Sequence, residues 1–195
     1  GKLALIVWGA DHLTAHDAAD GSVIWDCGGF NPEDKKYWRV IASPVVSDGV
    51  AVVPYGRTEF IAGVKLGGSG DVTKTHRLWG KKGIGADCPT PVAVNGRVYN
   101  LHDKGVLTCM DIKTGNELWS ETLPKDRGKF YASPTLAGNK LYLAREEGDV
   151  YVVQVSPKFK VLATNRIEDR FAAAPVLVNG KLLMRGVEHL YCFGE

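Results

Sequence analysis

Along this chain, short runs that alternate apolar and polar residues are broken at regular intervals by pairs of turn residues: Asp48-Gly49, Asn95-Gly96, Gly138-Asn139 and Asn179-Gly180. Each pair lies just beyond a run that opens with a proline, at Pro44, Pro91, Pro134 and Pro175. Residues that tolerate positive φ make the type I′ turn whose twist suits a tight hairpin, so each pair predicts one. The copy from Thr90 to Glu121 shows a whole unit. Its expected strands are Thr90–Val94 (A), Arg97–Leu101 (B), Val106–Asp111 (C) and Asn116–Glu121 (D), joined by Gly-containing turns. No segment carries a helical period, so the expectation is an all-β chain of four-stranded antiparallel meanders.

A second phrase recurs out of step with the first. Asp17-Ala-Ala-Asp-Gly21-Ser-Val-Ile-Trp25 is repeated as Asp111-Ile-Lys-Thr-Gly115-Asn-Glu-Leu-Trp119. The two phrases together repeat at about 40–47 residues, the range of propeller blades. Gly1-Lys2-Leu3 aligns with Gly180-Lys181-Leu182, which places the first residue inside an A–B turn; the chain stops at Glu195 before any strand D. The reading is a partial β-propeller of three complete blades with an incomplete one at each end, over approximately 1–27, 40–80, 88–121, 131–163 and 172–195. Cut edges of this kind are pairing surfaces, and propellers close into rings to remove them. The chain is thus expected to be a fragment of a longer protein or one partner in a multi-chain ring.

Composition narrows the picture only a little. With 195 residues, 45% of them hydrophobic, the chain can bury a real core. No apolar run is long enough to span a membrane. A net charge of +2 does not point to nucleic acid. Of the four cysteines, Cys109 and Cys192 share a strand-C column with Ala15, Gly63 and Val152, and read as small core residues. Cys27 and Cys88 lack metal-ligand spacing, so no metal site is expected.

The Asp-Gly-Trp phrase resembles the tryptophan-docking repeat of the quinoprotein-like (PQQ-like) β-propellers, over essentially the whole chain. A looser copy runs from Gly63-Val64-Lys65 to Trp79, stretched by Gly67-Gly68-Ser69-Gly70; the copy near Leu162-Ala163 has lost both Gly and Trp. The resemblance implies a seven- or eight-bladed ring in which Asp17, Gly21, Asp111 and Gly115 form C–D turns and Trp25, Trp79 and Trp119 pack between blades. It also implies an exported or periplasmic protein. The family holds quinone dehydrogenases, which carry pyrroloquinoline quinone (PQQ) with Ca²⁺, and cofactor-free scaffolds such as the lipoprotein subunit of the outer-membrane β-barrel assembly machine. This chain lacks the adjacent cysteines of the methanol-dehydrogenase type and an oxygen-ligand set for Ca²⁺. The scaffold, with protein partners and no cofactor, is therefore the first reading. A dehydrogenase fragment or a binder of carbohydrate or another small ligand is the alternative.

Any site is expected on the face carrying the D–A and B–C loops. The D–A loops hold Lys35, Lys36, Arg39, Lys81, Lys82, Lys125, Arg127, Lys129, Arg166 and Arg170, against Glu33, Asp34, Asp87, Asp126, Glu168 and Asp169. That excess of cations would attract anionic groups. The candidate binding face is Trp38, Arg39, Arg57, Asp87, His102, Phe130, Tyr131, Arg145, Arg170, Phe171 and Arg185. Such aromatic and Arg side chains suit interface anchors or sugar stacking, and the rings equally suit closing the core beneath the loops. No nucleophile joins His102-Asp103, and Gly83-Ile84-Gly85 precedes no helix, so neither catalytic residues nor a nucleotide loop are expected.

Overall fold

The computed structural model describes residues 3–124 and 127–194. Gly1, Lys2, Lys125, Asp126 and Glu195, which enter the readings above, lie outside the described residues. The first sheet is built from β1 (Ala4–Trp8), β2 (Leu13–Asp17) and β3 (Val23–Cys27). The second comprises β4 (Val45–Ser47), β5 (Val50–Tyr55) and β6 (Phe60–Lys65); an insertion with β7 (Gly70–Asp71) and α1 (Thr73–His76) then leads to its last strand, β8 (Arg77–Lys82). The third is β9 (Val92–Val94), β10 (Arg97–Leu101), β11 (Val106–Asp111) and β12 (Glu117–Thr122). The fourth is β13 (Thr135–Ala137), β14 (Lys140–Ala144), β15 (Asp149–Gln154) and β16 (Val161–Arg166), and the fifth is β17 (Val176–Val178), β18 (Lys181–Arg185) and β19 (Leu190–Phe193). These five sheets make the partial propeller that the repeat predicts.

Two corrections concern the insertion and one concerns a turn. Residues 73–76 form a single helical turn, where no helix was expected. β7 pairs in parallel with β3 (Trp25 opposite Gly70, Asp26 opposite Asp71), so the first sheet is not wholly antiparallel. The stretch that looked like a spacer is a strap from the second sheet to the outer edge of the first. It is fixed by Val72 N–H to Asp26 C=O (2.8 Å) and Gly28 N–H to Thr73 Oγ1 (2.8 Å). At Asp48-Gly49, Asn95-Gly96 and Asn179-Gly180 both residues have positive φ, as a type I′ turn requires. At Gly138-Asn139 only Gly138 does (φ 57°), the pattern of a type II′ turn, where Gly leads.

The core lies between the sheets. Strand residues alternate faces, so Ala51 and Val53 pack with Leu13, Ala15 and Trp25 of the first sheet. Val50 and Val52 pack with Val98, Met110 and Ile112 of the third. Inner strands are buried on both faces and therefore read as continuous apolar runs. A register shift falls at one column of every C–D pair: Ala15/His16, Gly63/Val64, Cys109/Met110 and Val152/Val153. In each case the residue opposite the bulge is the Trp or its replacement, Ala163. Cys109 is buried at this column whereas Cys192 of the last sheet is exposed.

Trp79 shows how neighbouring sheets join. A Cβ on Gly63, its cross-strand partner, would lie 2.3 Å from the indole, and a Cβ on Gly115 of the third sheet 2.5 Å from it. The ring is wedged between two glycines, and its N–H donates to Ile112 C=O at 2.9 Å. The seat is a turn in which the Asp111 carboxylate accepts the amides of Lys113 (3.0 Å) and Thr114 (2.8 Å). Trp119 meets a different seat, the edge of Phe159 at 5.4 Å with its N–H on Ser156 C=O at 3.3 Å, and is only half-buried. Gly21 repeats the turn of Gly115 but faces open space.

These seats make a paired prediction. Trp79→Ala should cost about 3–5 kcal/mol, the usual range for a buried Trp. Gly115→Ala must both strain φ and displace the indole, whereas Gly21→Ala meets only the left-handed backbone cost of about 1–2 kcal/mol. Urea midpoints of the three variants should fall in the order Gly21→Ala, then Gly115→Ala and Trp79→Ala well below it. Equal loss for the two glycines would refute the wedge.

Candidate functional site

The loop face is assembled by one repeated hydrogen bond. Three of the four D–A loops send the backbone N–H of an aromatic residue back to a B–C loop carbonyl: Phe30 to Asp11 (3.3 Å), Phe130 to Asp103 (2.8 Å) and Phe171 to Glu146 (2.9 Å). All three rings are 1% exposed. Phe130 and Phe171, expected at the rim, therefore take the other role left open for them and plug the gap between sheets. Arg145 is a further correction, being 2% exposed rather than on the face. Its guanidinium lies 4.8 Å from the Phe130 ring and 5.6 Å from that of Tyr151, and Nη2 donates to Pro124 C=O at 2.6 Å. Its apolar stem and planar head suit the space between two rings. Phe30 was missed because it stands far ahead of Pro44, whereas Phe130 and Phe171 stand just before their prolines.

The other candidates reach the surface. Arg39 grips both carboxylate oxygens of Asp87, with Nε to Oδ1 at 3.1 Å. Asp87 N–H in turn donates to Asp103 Oδ1 (3.0 Å), coupling two loops. Arg170 donates to Glu146 Oε1 at 2.6 Å. Arg185 donates to Val187 C=O at 3.1 Å. Tyr131 and Arg57 are exposed, and His102, half-buried, accepts the Lys104 N–H at 3.0 Å. The B–C turn of the second sheet has positive φ at Gly56, Arg57 and Thr58 (67°, 55° and 77°), a strained run. Gly85 clamps it: a Cβ there would lie 2.4 Å from Phe60 O, so close backbone approach explains that glycine.

Asp87, Cys88 and Asp103 come together closely enough to hold a metal ion. Arg39 already occupies the Asp87 carboxylate and Asp103 accepts an amide. Burial, then Asp87 and Asp103, push the Cys88 thiol up, which keeps it protonated and a poor ligand. Among the described residues this donor set does not fit PQQ with Ca²⁺, and Cys27, Cys88, Cys109 and Cys192 are all unpaired.

Two carboxylates the sequence did not single out hold the loops in place. The Asp169 side chain, 1% exposed, accepts the N–H groups of Arg170 (2.7 Å), Val187 (3.0 Å) and His189 (3.0 Å) and the Tyr191 hydroxyl (3.1 Å). Burial alone would raise its pKa, but these donors outweigh it and hold the group at about 2. Asp11 binds the amides of Gly29 (3.2 Å) and Asn31 in the same way. Beside it, His12 Nδ1 sits 2.7 Å from Asp26 Oδ1 and Nε2 3.2 Å from Asp11 Oδ2. The Asp26 hydrogen bond raises the His12 pKa against the opposing effect of burial, with Asp11 adding to it.

Asn31–Arg39 is a long excursion ordered by its own contacts. Asn31 Oδ1 accepts Lys35 N–H (3.0 Å), Asn31 Nδ2 donates to Lys35 C=O (3.2 Å), and Trp38 N–H donates to that carbonyl at 3.0 Å. Trp38 lies on Gly56, where a Cβ would be 2.7 Å from the ring. With Trp8, Phe30, Tyr55 and Phe60 it forms one aromatic cluster, Tyr55 and Phe60 being stacked at 5.2 Å. The Trp38 indole N–H is buried without an acceptor, a deficit of about 1–3 kcal/mol.

The profile of a family described as "Outer membrane protein assembly factor BamB" matches residues 9–193. Outer membrane protein assembly factor BamB of Escherichia coli K12 is 28% identical over 95 residues, which cover 49% of this chain and 23% of that protein. The chain thus spans only part of the length of the curated relatives it matches. The crystal structure of BamB from Moraxella catarrhalis superposes with a TM-score of 0.72 at 15% identity, over 97% of this chain and 54% of that one. A europium-containing methanol dehydrogenase superposes with a TM-score of 0.53 at 13% identity, over 66% of this chain and 25% of that one. Both structural likenesses speak to fold alone.

The pH response follows from the two clusters. Asp169, held at about 2, contributes stability above its ordinary value of 3.8 that is lost as pH falls toward 2. His12, raised above 6.5, contributes fully below that value and loses its contribution as pH rises through its folded pKa. Urea midpoints measured across pH should show both limbs. Asp169→Asn should flatten the acid limb and His12→Gln the alkaline one; unchanged profiles would remove these groups from the account.

Proposed function

Because the chain belongs to the family described as outer membrane protein assembly factor BamB, we propose that it is a non-catalytic PQQ-like propeller scaffold. In this reading its loop face meets protein partners in outer-membrane protein assembly, outside the cytoplasm, and no cofactor takes part. The carrying observation is the loop face itself. Arg39, Arg57, Tyr131, Arg170 and Arg185 reach the surface from loops that are hydrogen-bonded to the sheets beneath and to one another. Rigidly mounted Arg and aromatic side chains are what protein interfaces use as anchors, because little entropy is lost when they are buried.

The end sheets supply further surface. Leu5 (57%), Val23 (59%), Val176 (54%) and Leu190 (66%) lie open on the first and fifth sheets. Apolar faces of this kind fit coverage by additional blades or another chain, and we propose ring completion as their role. No helix among the described residues is long and apolar enough to cross a membrane.

Affinity purification of the tagged chain from envelope extract should recover outer-membrane assembly components. Changing Arg39, Tyr131 and Arg170 together to Ala should reduce that recovery severalfold; unchanged recovery would remove this face from the reading. Incubation with PQQ and Ca²⁺ followed by dye reduction on alcohols should give no turnover, and turnover would overturn the non-catalytic assignment.

A further inference from the structure

The Asn31–Arg39 excursion and the strained Gly56–Phe60 turn enclose two adjoining hollows of about 210 and 380 Å³, with Trp38 and Lys35 lining both. The first has an aromatic floor of Phe30, Trp38, Tyr55 and Phe60. The second is edged by Lys36, Tyr37, Arg57 and Glu59. Most cations near the floor are already engaged. Arg77 stacks on Phe30 at 4.1 Å and donates to Gly29 C=O at 3.3 Å, while Lys35 pairs with Glu33 at 3.3 Å. Lys36 and Arg57 are different: both are exposed, and neither has a hydrogen-bond or ion-pair partner among the described residues. Tyr37, between Lys36 and the indole in sequence, is 83% exposed.

We propose that this groove binds an acidic peptide segment bearing an aromatic side chain. Lys36 and Arg57 would take its carboxylates, and the ring floor its aromatic group. Charge complementarity selects the occupant, since the uncommitted side chains at the mouth are two cations, Lys36 and Arg57, against one carboxylate, Glu59, above a floor of rings. A sugar would need several donors and acceptors beside an open ring face, and here the rings meet mostly edge to face. A nucleic acid would need a continuous basic track, which Glu33, Asp34 and Glu59 interrupt. The unmet Trp38 N–H adds a demand for an oxygen acceptor when the excursion shifts around a ligand. The backbone strain fits the same picture, because Arg57 is held at positive φ at the edge of the second hollow. The inference deepens the scaffold reading by naming the partner chemistry of one site.

Binding to the full chain is measured by fluorescence anisotropy with a labelled pentapeptide of one phenylalanine flanked by two glutamates on each side. Saturable binding is expected. It should weaken at least about tenfold in the double variant Lys36→Glu, Arg57→Glu, and also on raising the salt, as solvent-exposed charge pairs do. Replacing the peptide's phenylalanine by alanine should weaken it as well. Absent binding, equal binding by the charge-reversed chain, equal binding of a lysine-flanked peptide, or tighter binding of an oligothymidylate would each overturn the proposal. Both charge-reversed positions are exposed, and an unchanged urea midpoint separates lost recognition from lost folding. If the peptide fails while partner recovery still depends on Arg39, Tyr131 and Arg170, this groove falls and the scaffold reading stands. If recovery is insensitive to those residues while the peptide binds, the reverse holds.

Discussion

Everything in this molecule depends on a large flat ring finding a place with no side chain in the way. Trp79 lies on Gly63 in its own sheet and on Gly115 in the next, and its N–H is satisfied by Ile112 C=O. Any Cβ at either position would push the sheets apart, so the two glycines set their separation. Gly115 meets two requirements at once: positive φ for the turn (67°) and an empty seat for the ring. That economy explains why Asp, Gly and Trp recur together. Where the seat changes, the joint changes too. Trp119 meets Phe159 instead of a glycine and stays half-buried, and there Tyr99, Leu107, Leu143 and Tyr151 carry more of the contact.

Once the angle between sheets is fixed, the loops above them face a common geometric problem. Apolar surface between neighbouring sheets has to be covered where the strands give way to loops. Phe30, Phe130 and Phe171 cover it, each tied by its backbone N–H to the preceding B–C loop. Asp169 and Asp11 tie further loop amides with buried or half-buried carboxylates. The result is a face on which many backbone polar groups are hydrogen-bonded, with side chains such as Arg57 and Tyr131 exposed above them.

The fold was legible because its signals are local. An alternating run and a two-residue turn declare a hairpin without reference to the rest of the chain, and strands β10 and β11 match their expected limits residue for residue. The site was less legible because solvent exposure is a long-range property. Phe130 and Tyr131 are adjacent and look alike in sequence, yet one is 1% and the other 36% exposed, a difference set by the B–C loop that Phe130 reaches. Arg145 looked like a surface cation for the same reason. The strap at β7 was hidden because glycines mark flexibility equally in a spacer and in a short paired strand, and only its partner β3 distinguishes them.

A repeat protein makes every blade nearly alike, so its recognition chemistry has to arise where the repetition fails. The aromatic plug is shared by three loops, and in two of them strand A follows within a few residues. After Phe30 the chain instead takes the detour from Asn31 to Arg39, with Asn31 ordering it internally. Opposite stands the Gly56–Thr58 turn, whose strained backbone is held by Gly85. Apart from Trp38, which joins the ring cluster, neither feature adds a side chain to the buried apolar core. Chain that adds nothing to the core loses conformational entropy on ordering without the return of buried apolar area, and strain at a non-glycine residue adds to that cost. Such ordering persists where the surroundings over-determine it. Here they do so with the ring cluster, the Asn31 hydrogen bonds and the close approach of Gly85, and they leave Lys36 and Arg57 without partners among the described residues, which is why the departure from the period, rather than the period itself, is the place to look for a ligand.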